Sequence, residues 1–169
     1  WDYHPDHRYV GILVQDAAYM VTVPFFCPET PALKNNPVFL YSTDGFQKPY
    51  PFKPDVVVAL DEVFDQKVDA LYLLESQIFD GGVEGGTEFT KTMPAVNDVS
   101  ARKAWLHQSW WAQRNAREAD RFRDALVKWY GPEKGKKVRY AESFEVCEYG
   151  ERPTDEELAK LFPFFDKKP

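Results

Sequence analysis

Pro54-Asp55-Val56-Val57-Val58-Ala59-Leu60-Asp61 is the stretch on which the reading of the fold turns. Five consecutive apolar residues, three of them β-branched, are bounded by Pro-Asp on one side and Asp on the other, the pattern of a short strand. No position in the run is polar, so neither face is reserved for water. That is the habit of a strand in a parallel sheet with helices on both sides. Upstream, Val38-Phe39-Leu40-Tyr41 has the same β-branched and aromatic character and reads as a second strand.

Downstream of the run, Phe64, Val68, Leu71, Leu74 and Ile78 recur at helical spacing. They predict a helix from about Val63 to Phe79, with Asp61 placed to cap its N-terminus. Gly81-Gly82-Val83-Glu84-Gly85-Gly86 reads as a loop rather than a phosphate cradle, because no strand and helix bracket it. The longest periodic segment runs from about Asp98 to Trp129, with Ala101, Trp105, Gln108, Ala112, Ala116, Ala119, Phe122, Leu126 and Trp129 on one stripe. Gly131-Pro132 stops it. A late strand is expected within Val138 to Tyr149, and Thr154-Asp155-Glu156-Glu157 is a capping-box start for a short last helix.

Toward the start of the chain, Val10, Leu13, Val14, Ala17, Ala18 and Val21 define a helix with Gln15 and Asp16 on its other side. It ends near Val23-Pro24, and Pro24, Pro28, Pro31 and Pro37 keep the following segment a loop. Alternation of strands and helices with no internal repeat points to an α/β layer architecture in a single domain over residues 1–169. Against 21 basic residues stand 27 acidic ones, a formal charge of −6, so a nucleic-acid backbone is repelled on average. No apolar run approaches the roughly 20 residues of a membrane span. Cys27 and Cys147 are too few for a disulfide framework, and no bridge is expected. The chain opens on Trp1 close to its most chemical motif, which leads us to expect a segment before it.

That motif is His4-Pro5-Asp6-His7, two imidazoles and a carboxylate within four residues on a turn that Pro5 stiffens as it enters the first helix. Neutral imidazole is the commonest zinc ligand, and a neighbouring carboxylate fixes its tautomer. The three groups lie too close together to be comfortable ligands of one tetrahedral ion, so a division of labour is expected, one binding metal and another doing proton or oxyanion work. The bland alternative is a helix cap in which Asp6 complements the dipole. The one remaining histidine, His107, falls within the long periodic segment and reads as solvated or at a core edge.

Asp2-Tyr3-His4-Pro5-Asp6-His7-Arg8, with the helix through Gln15-Asp16-Ala17-Ala18-Tyr19, resembles the second motif of the PIG-L/LmbE family of zinc-dependent N-acetylglucosaminyl deacetylases. The resemblance continues through Pro54-Asp55-Val56-Val57-Val58, Asp61, Phe64 to Leu71, Ser76-Gln77 and Ala141-Glu142-Ser143-Phe144-Glu145, with an elaborated stretch from Phe79 to Lys137. It implies a Rossmann-like, mostly parallel sheet with flanking helices, present here as the C-terminal portion of the family domain. It also implies Zn2+ as cofactor and hydrolysis of an N-acetyl group on an N-acetylglucosamine-type conjugate. On that basis His7 is the metal ligand, His4 the oxyanion stabiliser and acid, and Asp6 the residue that orients His4.

The family's other motif, Ala-His-Pro-Asp-Asp-Glu, supplies two more ligands and the general base, and no such segment occurs in the chain. One histidine cannot make a three-ligand zinc site. The expectation is therefore a separate N-terminal polypeptide carrying the His-Pro-Asp-Asp motif. The alternative is an inactive family member or fragment acting as a binding or assembly module, and a metal-dependent phosphoesterase ranks last because too few further ligands are present. Arg8 is a candidate for substrate carboxylate or phosphate, against a surface ion pair. Phe46, Tyr50 and Phe52 could form a sugar-stacking wall, against packing of their own loop. Trp110 and Trp111 could face a partner, while Trp105 fits the core stripe.

Overall fold

The computed structural model describes residues 2–81 and 88–165. Most of the glycine-rich segment expected to be a loop, Gly82 to Gly86, lies outside them. The fold is mixed α/β: α1 (Pro5–Met20), β1 (Leu40–Ser42), β2 (Val56–Ala59), α2 (Phe64–Tyr72), a π-helical turn (Glu75–Phe79), α3 (Glu88–Lys91), α4 (Val99–His107), α5 (Trp110–Arg121), α6 (Arg123–Gly135), β3 (Ala141–Val146) and α7 (Asp155–Leu161). No helix among the described residues is long and apolar enough to cross a membrane.

The expected Rossmann-like, mostly parallel sheet is not what forms. Three strands pair in the order β1-β3-β2. β1 runs antiparallel to β3, with Leu40 opposite Val146 and Ser42 opposite Phe144. Beside β2, the Asp55 amide donates to the Phe144 carbonyl and the Leu60 amide to the Tyr140 carbonyl, each at 2.9 Å. Rising numbers on one side meet falling numbers on the other, so this pair is antiparallel too. Val56 and Val57 are nonetheless fully buried. An apolar run reports that both faces are covered; it carries no information about the direction of the neighbouring strand.

The chain separates into two compact units, one of Trp1–Val58, Asp124–Lys136 and Ser143–Pro169, the other of Ala59–Arg123 and Lys137–Glu142. In the first, Trp129 is the largest fully buried side chain. Its ring stacks on Phe165 at 4.6 Å between centroids, and its indole N–H donates to the Asp55 carbonyl at 3.0 Å, closing the end of β2. α7 begins with the expected capping box, Thr154 and Glu157 each bonding the other's backbone.

Gly131-Pro132 interrupts the helix as expected. Gly131 sits at φ 76°, a left-handed value that suits glycine, and α6 kinks there. The kink folds the last turn back until a Cβ at Gly135 would lie 2.6 Å from the Leu126 carbonyl oxygen and 2.7 Å from the Val127 Cα. These are backbone atoms that cannot swing aside. Gly135→Ala is therefore expected to destabilise the first unit by about 1–3 kcal/mol, the range of an overpacked core, read as a lower urea midpoint at unchanged slope.

The long periodic segment is three helices rather than one, α4 and α5 in the second unit and nearly all of α6 in the first, with breaks at Gln108-Ser109 and at Phe122. In the second unit the stripe still points inward at Ala112 and Ala119, both buried. Asp98 caps α4 by accepting the Ala101 amide at 2.9 Å. Asp61 does not cap α2, whose N-cap is Val63 without a side-chain bond. It accepts instead from the Arg139 amide at 3.0 Å and the Arg139 Nε at 2.9 Å. The Phe64 ring stacks on Tyr140 at 3.9 Å, and Asn115 donates its side-chain amide to the Ala141 carbonyl at 2.9 Å.

The π-helical turn is held by Arg102. Arg102 is 2% exposed, and its guanidinium bonds Glu75 at 3.1 Å and lies 4.3 Å above the Phe79 ring. A buried cation is tolerable when an anion and an aromatic face meet it together.

Candidate functional site

The first turn of α1 gathers Asp2, His4, Asp6, His7 and Arg8. His4 is the N-cap, with extended backbone angles, and Pro5 follows at the first helical position, where a missing N–H costs nothing. The His4 cap works through its ring: the Asp6 amide donates to Nδ1 at 3.3 Å. The Asp6 carboxylate itself is 3.8 Å from that nitrogen, beyond hydrogen-bond distance, and its side chain is largely exposed. Within this structure Asp6 therefore meets His4 through its backbone amide.

His7 has a different partner. Its Nδ1 lies 2.9 Å from the Asp2 carboxylate. Burial raises the Asp2 pKa, but the His4 amide donating to it and the His7 ring beside it outweigh burial and hold the carboxyl below its ordinary 3.8. Near neutral pH Asp2 is an anion that can only accept, so Nδ1 of His7 is the donor. The two His rings lie 5.1 Å apart, and Tyr3 sits edge-on to both.

In their neutral forms, which metal binding requires, the two imidazoles take opposite tautomers under these bonds. His4 accepts at Nδ1, so its proton sits on Nε2, which becomes a donor. His7 donates from Nδ1, so its Nε2 carries a lone pair. A half-exposed imidazole with a carboxylate on Nδ1 and its Nε2 left to accept has the pairing seen in metal-ligating histidines. Arg8 braces the turn, with Nη1 donating to the Asp2 and Tyr3 carbonyls at 2.9 Å each.

The fit to a zinc ion is partial. No group of three or more His, Cys, Asp or Glu among the described residues could hold one. The chain offers one oriented imidazole and a hydrogen-bond donor beside it.

Other candidates fall elsewhere. His107 pairs with Asp65 at 3.3 Å and packs on Phe64 at the edge of the second unit's core. Phe52 is buried, while Phe46 and Tyr50 are exposed. Tyr50 joins Tyr41, Asp55, Glu145, Glu148 and Arg152 around an open cleft of about 530 Å³ in the first unit. There the Tyr41 hydroxyl accepts from Gln15 at 2.9 Å and from the Cys147 thiol at 3.1 Å, and burial pushes its pKa well up, with Cys147 adding to the rise. Trp110 is exposed and stacks on Trp111 at 4.5 Å. Both cysteines are free, Cys27 exposed and Cys147 buried.

Asp2 had no role in the reading of the sequence. The signal for it was its place two residues before a histidine N-cap, from which a short carboxylate can reach across the first helix turn. No protein-family model matches the sequence, and no solved structure matches the chain.

Proposed function

We propose that the chain is the C-terminal part of a zinc-dependent N-deacetylase of the PIG-L/LmbE type, acting on an N-acetylglucosamine-type conjugate and complete only with a second polypeptide segment that supplies the remaining ligands. The observation that supports this reading is that the two neighbouring imidazoles use Nδ1 in opposite ways, His4 accepting from the Asp6 amide and His7 facing the Asp2 carboxylate. His7 offers Nε2 as a lone pair with Asp2 behind it, and His4 offers Nε2 as an N–H. Amide hydrolysis needs both, a ligand for the metal and a donor that can steady the oxyanion and pass a proton to the departing amine. When bound, zinc in such a site polarises the amide carbonyl. Asp6 steadies His4 by donating its amide to the ring. Arg8 remains a candidate for an anionic group on the conjugate, from a position that also braces the turn.

The test is acetate release from N-acetylglucosamine conjugates by the assembled protein, together with its zinc content by atomic absorption. His7→Ala is expected to remove zinc and at least about a thousandfold of the activity, since a three-ligand site loses a ligand. Asp2→Asn, which keeps size but loses the charge behind His7, is expected to weaken zinc by about 10–100-fold, as removal of an outer partner does. Retention of zinc and full activity by His7→Ala would sink the assignment.

A further inference from the structure

Two carboxylates are tied across the start of β2 and the end of β3. Asp55 accepts the Val146 amide at 2.7 Å, and Glu145 accepts the Lys53 amide at 2.9 Å. Each bond occupies one oxygen and neither brings a cation, so both groups keep their charge and further capacity to accept. Both line the open cleft of about 530 Å³, together with Glu148, Asp155 and Arg152. Lys128 answers Asp155 at 2.6 Å. Glu148 is met loosely, by Arg152 at 3.6 Å, in a contact between two well-exposed side chains. The lining is also aromatic. Tyr41 is held in it by Gln15 and Cys147 on its hydroxyl, and Tyr50 comes from the loop before β2. Burial raises the Tyr50 pKa, and the Glu145 and Glu148 carboxylates add to the rise, so their field reaches that ring.

These carboxylates do not converge on a point. Among the described residues no three His, Cys, Asp or Glu side chains are grouped so as to hold a metal ion. Positive charge that answers Asp55, Glu145 and Glu148 therefore has to be spread along a ligand. Tyrosine rings beside them suit both ammonium groups and the methylenes between such groups. The volume falls within the about 300–1,000 Å³ of small-molecule sites. We propose that the cleft binds an aliphatic polyamine, with ammonium groups on Asp55, Glu145 and Glu148 and the methylene chain along Tyr41 and Tyr50. Arg152 is the one cation in the lining, and it competes with the ligand for Glu148. None of these residues belongs to the His4–His7 turn, so the site stands whether or not the chain is a deacetylase.

The experiment is isothermal titration calorimetry of the intact protein with the triamine spermidine at about 0.15 M salt, where long-range surface attraction is largely screened. One-to-one binding is expected, half-saturated below about 1 mM. Glu145→Gln combined with Glu148→Gln is expected to weaken it at least about tenfold, and Tyr50→Ala about three- to tenfold. Arg152→Gln is expected to tighten it about threefold, because the competing cation is gone. Glu145→Gln keeps an oxygen for the Lys53 amide, and circular dichroism melts check that the variants fold. If the double variant does not fold, Glu148→Gln, Tyr50→Ala and Arg152→Gln decide the outcome, since all three side chains are exposed. Absence of saturable binding, or binding unchanged in these variants, overturns the proposal. So does equal competition by magnesium at matched ionic strength, which would mark general charge attraction. Acetylated and amidated trilysine carries the same charge on a peptide backbone, and its binding as tightly as spermidine would assign the cleft to a basic peptide instead.

Discussion

Trp129→Ala is expected to lower the stability of the first unit by about 3–5 kcal/mol, the cost of removing a fully buried indole. A typical domain has only about 5–15 kcal/mol in hand, so the variant sits near the threshold of folding at ambient temperature. Two effects combine. The ring leaves a cavity against Phe165, and the Asp55 carbonyl loses the indole N–H that satisfies it. Trp129→Phe separates them: it keeps much of the packing and loses the hydrogen bond, for which about 1–3 kcal/mol is expected. Urea denaturation followed by far-UV circular dichroism measures both. A Trp129→Ala midpoint equal to that of the parent would mean that this tryptophan does not organise the core.

Arg102→Ala should have the second-largest effect, about 2–4 kcal/mol in the second unit, and the cause is packing more than charge. Glu75, the partner left behind, is more than half exposed and can turn to water, so the usual penalty of an abandoned buried charge is largely absent. What is lost is the stem and planar head lying over Phe79. Arg102→Met, which fills nearly the same volume without the charge, is accordingly expected to cost less than about 1.5 kcal/mol. If Met proves as damaging as Ala, the ion pair with Glu75 governs and the packing account fails.

Local signals were legible in the sequence because local physics wrote them. The start of α1 at Pro5, the capping box of Thr154 and Glu157 and the strand inside Val138 to Tyr149 all depend on residues a few positions apart. What depended on tertiary partners was not legible. Asp61 looked like a cap because it precedes a helix, but Arg139, 78 positions away, takes its carboxylate. The breaks at Ser109 and Phe122 carry no Gly or Pro, and the apolar stripe runs through them undisturbed. The parallel sheet failed for the reason that burial on both faces looks alike for either strand direction.

The site divides along the same line. His4 and His7 stand out by type and spacing, and their separate roles come only from the family resemblance; the structure adds which groups their ring nitrogens meet. The partner of His7 could not be read from sequence distance, since Asp6 adjoins it and Asp2 lies five positions away, yet it is Asp2 that the turn brings to the ring. Periodicity reported that α1 has an apolar side, not what that side meets, and Val10, Leu13 and Val14 on that stripe are exposed.

That uncovered stripe also bears on how long the chain survives. A polypeptide that binds the folded state alone acts on it as a ligand does, shifting the folding equilibrium by mass action. With Leu13, Phe25 and Phe26 in water, the folded chain carries the kind of surface that holdase chaperones and proteases sort by. Any polypeptide that covered those side chains would tie the chain's abundance to its own, so that one helix face would set how long the protein persists.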